Sequence, residues 1–197
     1  MNAHDPELEL RSERLLLRLP DPDEAPVVAD YLRRNRRHHA PWSPPWPEHY
    51  FSDEHWGAQL ERNRGELRRD ESLRLFVFER GAAAGPARGH LSFTRFIRGP
   101  FQACLLGYAL DQEVVGRGYM GEAIGRGLEH VFRELGLHRV EANYVPTNLR
   151  SGAVLRRLGF QIMGYARDYL FIDGAWRDHV LTAITNPDPR PPSWVPT

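Results

Sequence analysis

The chain has 197 residues, 41% of them hydrophobic and 26% charged, and its 26 basic residues balance 26 acidic ones to a formal net charge of zero. That size and balance fit one ordinary globular domain and exclude a protein whose main work is coating nucleic acid by phosphate neutralisation. Cys104 is the only cysteine, which rules out an internal disulfide framework or a multi-cysteine zinc site, and no apolar run approaches the roughly 20 residues that span a bilayer. No membrane partner is therefore expected, and the absence of an N-terminal charged segment followed by an apolar run leads to the expectation of a cytoplasmic location. Every basic residue is arginine.

Residues 13–19 are a strongly apolar run ended by Pro20, read as a strand, and Asp21-Pro22-Asp23-Glu24 then starts a helix with acids in its first turn. That helix carries Val27, Val28, Tyr31 and Leu32 on one face and ends in the cluster Arg33, Arg34, Arg36, Arg37, His38 and His39. Residues 40–51 hold four prolines, which exclude a regular helix or a central strand, together with Trp42, Trp46, Tyr50 and Phe51; they are read as an ordered aromatic loop or lid. A second helix follows from Ser52 to about Arg69. Residues 72–79, 88–97 and 101–110 read as three strands of an antiparallel meander.

After Gly116 the period changes. Met120, Ile124, Leu128, Val131, Phe132 and Leu135 form one helical stripe that Gly136 ends. A strand at 139–145, a short helix with Asn148 at its N-cap and Gly159 beyond its end, and two strands at 160–172 and 175–185 joined at Asp173-Gly174 complete the pattern. The expected organisation is a single domain over residues 1–185 and a tail over residues 186–197 that carries five prolines.

The segment Gly116-Arg117-Gly118-Tyr119-Met120-Gly121 matches G-x-G-x-x-G between a strand and a helix, but the antiparallel strands before it contradict a dinucleotide-binding α/β fold. Glycine backbone at a helix N-terminus still offers N–H donors and about half a positive charge to a phosphate, and Arg117 adds a full charge. The alternative is a glycine-rich turn without a ligand. The succession of elements, with the segments LLGYALDQ, GRGYMGEA, VPTNLRSGAVLRRLGF and GYARDYLFIDGAWRDHVLTA, resembles the GCN5-related N-acetyltransferase family, and within it the Rim J branch of ribosomal-protein-alanine N-acetyltransferases. Val115 departs from the Gln or Arg common in the wider family just before the first glycine, whereas Met120 agrees with the Rim J branch.

The resemblance implies an α/β fold with a mixed, largely antiparallel sheet and flanking helices, and acetyl-CoA as cosubstrate. Its pantetheine arm would lie along Tyr108, Ala109 and Leu110 and its pyrophosphate on residues 116–121. By likeness to the neighbouring Rim L branch, Asp168 corresponds to a proposed catalytic base, Ser151 to a serine facing the CoA sulfur, and Asn148 to an asparagine near the cofactor. From the residues alone Asp168 reads equally as a solvated strand residue or a partner of Arg167, and Ser151 as a helix cap. Trp42, Trp46 and Tyr50 read either as a wall of the acceptor site or as an aromatic plug on the core. Cys104, mid-strand among apolar neighbours, reads as a small buried hydrophobe, and no metal site is expected.

Acceptor chemistry favours a protein N-terminus. At pH 7 a lysine of pKa about 10.4 needs roughly 4.6 kcal/mol to lose its proton, whereas an α-amine near 8 needs only about 1.4 kcal/mol. Together with the resemblance to ribosomal-protein-alanine N-acetyltransferases, this gives the expected function: acetylation of an Ala or Ser α-amine by direct transfer in a ternary complex. The alternatives are a small amine or antibiotic as acceptor, or a CoA-binding ribosome assembly factor. A ribosome contact through residues 33–39 and a monomer or homodimer complete the expectations.

Overall fold

The structure, a computed structural model, describes residues 5, 7–82 and 84–189, so the tail from residue 190 lies outside the described residues. Eight strands, β1 (Glu9–Arg11), β2 (Leu15–Arg18), β3 (Ser72–Glu79), β4 (Gly89–Ile97), β5 (Ala103–Leu110), β6 (Arg139–Tyr144), β7 (Gln161–Ile172) and β8 (Ala175–Thr185), form one sheet in the order β1-β2-β3-β4-β5-β6-β8-β7. All neighbours are antiparallel except β5 and β6, which run parallel because α3 (Tyr119–Arg133) crosses between them. The remaining helices are α1 (Ala25–His39), α2 (Asp53–Arg68) and α4 (Leu149–Arg157). This is the mixed α/β architecture that the resemblance implies.

Strand alternation divides the core in two. Leu73, Leu75, Val77, Leu91, Phe93, Cys104 and Leu106 face α3, whose stripe of Met120, Ile124, Leu128, Val131 and Phe132 covers them. Phe76 and Phe78 point the other way, toward Val28, Tyr31 and Leu32 of α1 and Trp56 and Leu60 of α2. The two helix faces expected from sequence are thus the two that are buried.

Strand β1 escapes a reading of local pattern because it has three residues, yet Leu8 and Leu10 are buried and Leu10 pairs with Leu17. The strand expected over 13–19 shortens to β2 because Ser12 to Arg14 make the turn, with the Ser12 N–H donating to the Leu15 carbonyl at 3.0 Å. Within residues 40–51 the chain makes two short 3₁₀ turns, Ala40–Trp42 and Glu48–Phe51, as the prolines permit.

α3 approaches the sheet tightly at Gly127, where a Cβ would lie 2.9 Å from the Phe93 ring and 3.3 Å from Leu91. Both are buried, so the ring has nowhere to retreat. Gly127→Ala gains about 1 kcal/mol of helix propensity but overpacks the core, and a net loss of about 1–2 kcal/mol is expected by denaturant unfolding. A variant more stable than the parent would contradict this packing.

Candidate active site

The central feature is a parting of two strands. β5 and β6 pair only at Ala103, Cys104 and Leu105 against Arg139, Val140 and Glu141, after which β5 continues to Leu110 with β4 alone beside it while β6 stays with β8. The Asp111 N–H donates to the Arg88 carbonyl at 2.8 Å, so odd-numbered residues along this edge turn their backbone groups toward β4. Because the direction alternates, Tyr108 and Leu110 turn theirs into the gap. His39 Nε2 donates to the Leu110 carbonyl at 3.0 Å, which leaves the Tyr108 carbonyl and the Tyr108 and Leu110 N–H groups without a partner on the gap side among the described residues.

On the face of α3 and α4 the gap is bridged by side chains. Tyr108 Oη and Ser151 Oγ lie 2.7 Å apart, and Asn148 Oδ1 accepts from the Ser151 N–H at 3.1 Å as the N-cap of α4. Burial pushes the Tyr108 phenol up to about 12, against the pull of the Ser151 hydrogen bond, so the phenol keeps its proton at neutral pH. Gly152 permits the close approach of α4 to β6: a Cβ there would lie 2.9 Å from the Tyr144 ring. The structure thus brings Tyr108, Ser151 and Asn148 together.

The glycine loop opens beside the end of β5. Gly116 and Gly118 have φ of +86° and +80°, a conformation that excludes most L residues, and a Cβ on Gly116 or Gly121 would meet open space. Gly118 is the N-cap of α3, so the unpaired N–H groups of the first turn point out of the loop with Arg117 exposed next to them. Of the other loop residues, Met120 turns its side chain into the core and offers only backbone, while Tyr119 lies under the Arg14 guanidinium at 4.9 Å.

Residues that no local pattern marks hold this loop in place. Arg14 donates to the Arg117 carbonyl at 3.0 Å and to Glu122 Oε2 at 2.7 Å, and Ser12 Oγ donates to Glu122 Oε1 at 2.7 Å. From α1, Arg34 reaches the fully buried Asp111 at 2.8 Å, and Asn35 Oδ1 accepts from the Gln112 N–H at 2.9 Å. Burial works against the Asp111 charge, but the hydrogen bonds from Arg34 and the Glu113 N–H, with the Arg34 and Arg88 charges, hold its carboxyl below the usual range. Partners some 77 residues apart, such as Arg34 and Asp111, leave no periodicity to read.

On the opposite face the aromatic loop divides. Trp46 stacks on Tyr50 at 5.8 Å and meets Phe51 edge-on, all against the second core cluster, whereas Trp42 is 41% exposed. The tip of the β7–β8 hairpin reaches this loop, with the Asp173 N–H donating to the Ser43 carbonyl at 3.2 Å. Asp168 sits in a β7 bulge at φ +46°, exposed, with its N–H donating to Asp178 Oδ1 at 3.0 Å. Next to it, the Tyr169 hydroxyl accepts from Asn143 of β6 at 3.1 Å. No contact joins Asp168 to Tyr108, Ser151 or Asn148, or to Arg167, among the described residues.

Within the basic cluster, Arg33 pairs with Asp53 at 3.1 Å, Arg34 with Asp30 and Asp111 at 2.8 Å each, and Arg36 with Glu48 at 3.1 Å. His39 donates to the Leu110 carbonyl, and among the described residues Arg37 and His38 make no hydrogen bond or ion pair. Cys104 is buried, and that burial pushes its thiol up to about 12, too high for a nucleophile at neutral pH. Among the described residues no three His, Cys, Asp or Glu converge as a metal set, and no helix is long and apolar enough to cross a membrane.

Known proteins are similar to this chain in sequence and in fold. Residues 14–161 match the family described as the acetyltransferase (GNAT) domain. The chain is 39% identical over 191 residues to the ribosomal protein uS5-alanine N-acetyltransferase of Escherichia coli (strain K12), covering 97% of this chain and 95% of that one. The crystal structure of ribosomal-protein-S5-alanine acetyltransferase from Vibrio fischeri superposes with a TM-score of 0.88 at 34% identity, over 93% of this chain and 100% of that one. Mycobacterium smegmatis RimJ, solved in complex with CoA-disulfide, superposes with a TM-score of 0.83 at 29% identity, over 94% and 90% respectively. The parted strands, the glycine loop on α3 and these likenesses agree: the chain belongs to the GCN5-related N-acetyltransferase (GNAT) family.

Proposed function

We propose that this N-acetyltransferase moves an acetyl group from acetyl-CoA to the N-terminal α-amine of a protein that begins with a small residue, with a ribosomal protein as the physiological acceptor. The observation that carries the donor side is the gap between β5 and β6 with free backbone groups at Tyr108 and Leu110, next to a loop whose N–H groups point outward. An extended pantetheine amide fits such an edge, and a pyrophosphate fits residues 116–121, with Arg117 as its cation. The alanine N-acetyltransferases of Escherichia coli and Vibrio fischeri, and the CoA-bound Mycobacterium smegmatis relative, support the same reading.

Acetyl-CoA supplies an activated thioester that a neutral amine attacks without an acetyl-enzyme, so the chain's task is placement and proton handling. A carbon–nitrogen bond forms as the carbon–sulfur bond breaks; the amine gives up one proton and the departing sulfur takes one. Ser151, with the protonated Tyr108 phenol behind it, is the donor aimed at the sulfur, and Asn148 fixes Ser151 through its backbone. Asp168 is the base. Its exposed carboxylate has no partner among the described residues and takes the amine proton through a bridging water. Trp42 and the hairpin tip at Asp173 flank the acceptor's entrance, and Trp46 and Tyr50 back it.

Intact-mass and fragmentation analysis should place the acetyl group on the first residue of Ala- or Ser-initiated peptides; lysine side chains or small amines alone would refute the acceptor. Asp168→Asn should lower kcat about 100-fold at neutral pH with acetyl-CoA affinity unchanged, and parental turnover would remove Asp168 from the mechanism. For the donor, CoA at a hundredfold excess over its Kd should stabilise the protein by about 2.7 kcal/mol. In Gly118→Val, whose branched side chain cannot hold φ near +80°, that stabilisation should vanish. An unchanged thermal shift would separate the loop from the donor.

A further inference from the structure

A cavity of about 260 Å³ lies between α2 and the sheet, lined by Tyr50, Trp56, Asn63, Arg74, His90 and Ser92 with Gln59 and three apolar neighbours. Its place is set by register. Arg74 lies directly opposite Ser92, and Ser92 directly opposite Gly107, so these three form one row on the face away from α3, ending at the strand that borders the gap. At roughly 4.8 Å per strand, Arg74 stands about 10 Å from Gly107. A Cβ on Gly107 would meet nothing within 4 Å, so the row opens freely toward the reaction centre.

A sheet face covered by a helix is ordinarily apolar, as Phe76 and Phe78 are on the same face of β3. Here it carries polar groups that the protein leaves unused. Asn63 is 2% exposed; its carbonyl accepts from Gln59 Nε2 at 2.7 Å, but its Nδ2 has no partner among the described residues. The Ser92 and Tyr50 hydroxyls have none either. Arg74 meets Glu66 only through one oxygen, at 3.3 Å from both Nε and Nη2, and that oxygen already takes the Ser72 hydroxyl at 2.6 Å.

His90 lines the same cavity. The Tyr31 hydroxyl lies 3.3 Å from both the Ala109 carbonyl and His90 Nδ1. Burial, with the His39 and Arg74 charges adding to it, lowers His90 to about 3, so the ring is neutral at physiological pH and brings no second charge. Among the described residues, three donors without a partner, at Asn63, Ser92 and Tyr50, thus stand beside a guanidinium that shares a single Glu66 oxygen with Ser72.

We infer that this cavity receives a carboxylate side chain, an Asp or Glu within the first few residues of the acceptor, held by Arg74, Ser92 and Asn63 while the α-amine sits at the gap. The inference rests on the proposed acceptor being a protein N-terminus. A peptide entering past Trp42 has its first residue near Gly107, and the roughly 10 Å to Arg74 is spanned by one or two further residues and an acidic side chain. The carboxylate would exchange part of its hydration for charge-assisted hydrogen bonds in a partly buried site.

The test uses matched Ser-initiated peptides that carry Glu, Gln or Lys at positions two, three and four in turn, with kcat and KM measured for α-amine acetylation. At one of these positions Glu should be preferred over Gln by about tenfold in kcat/KM, mainly through KM, and Lys should be worst. Arg74→Gln and Ser92→Ala should each shrink the Glu preference, and Glu66→Gln, which releases Arg74, should enlarge it, while the thermal shift by CoA stays parental in all three. Equal use of Glu and Gln peptides by the parent, or a preference that survives Arg74→Gln, would overturn the inference and leave α-amine transfer standing. Failure to acetylate any α-amine would overturn the proposed function and this inference with it.

Discussion

The separation of β5 from β6 after three paired residues is the constraint on which the rest of the structure depends. Two central strands of a sheet normally satisfy each other's backbone along their length, and leaving N–H and C=O groups unpaired in a partly desolvated gap costs free energy. The parting persists because each strand is tied elsewhere: β5 to β4 over six residue pairs up to Leu110, and β6 to β8 over its whole length. The parallel direction of the pair follows from the α3 crossover, which also delivers the glycine loop to the mouth of the gap. Fold and proposed donor site are one feature, since the connection that makes the strands parallel also carries the glycine loop.

The end of β5 is fixed from outside its own strand. Arg34, Asn35 and His39, all on α1, take Asp111, Gln112 and Leu110 in turn. Removing one partner from a buried ion pair such as Arg34–Asp111 typically costs about 3–5 kcal/mol, because the other charge remains desolvated. The glycine loop therefore begins from a rigid post. Its far side is braced independently by Arg14, which joins the Arg117 carbonyl to Glu122. Since His39 is also the last residue of α1 and the aromatic loop starts at Ala40, the anchor of the β5 end and the origin of the aromatic loop are adjacent in the chain.

Most elements were legible in the sequence, and for a physical reason. Strand β8 and the limits of β3 emerge as read because alternation, turn residues at Asp173-Gly174 and the α3 stripe each agree with the burial they meet. Asn148 and the positive-φ glycines were equally visible, since capping and left-handed backbone depend on local chemistry. Strand β1 was not, because three residues carry no period. The aromatic loop could be read only as wall or plug, and it divides: Trp46 and Phe51 pack on the core, while Trp42 stays exposed. What stayed hidden was long-range: the Arg14 brace, the α1 anchor, and the row from Arg74 to Gly107. In each case the partners are brought together by strand register or helix packing, and neither residue looks unusual in its own segment.

The central claim is that the free edge of β5 is the seat of the acyl-donor arm. Hydrogen exchange resolved at single amides, with and without acetyl-CoA, tests it most directly. The Ala109 amide is turned toward β4 and paired with or without ligand, whereas those of Tyr108 and Leu110 face the gap. Acetyl-CoA should therefore slow exchange at Tyr108 or Leu110 far more than at Ala109. Uniform slowing along β5, or slowing confined to residues 116–121, would contradict the account.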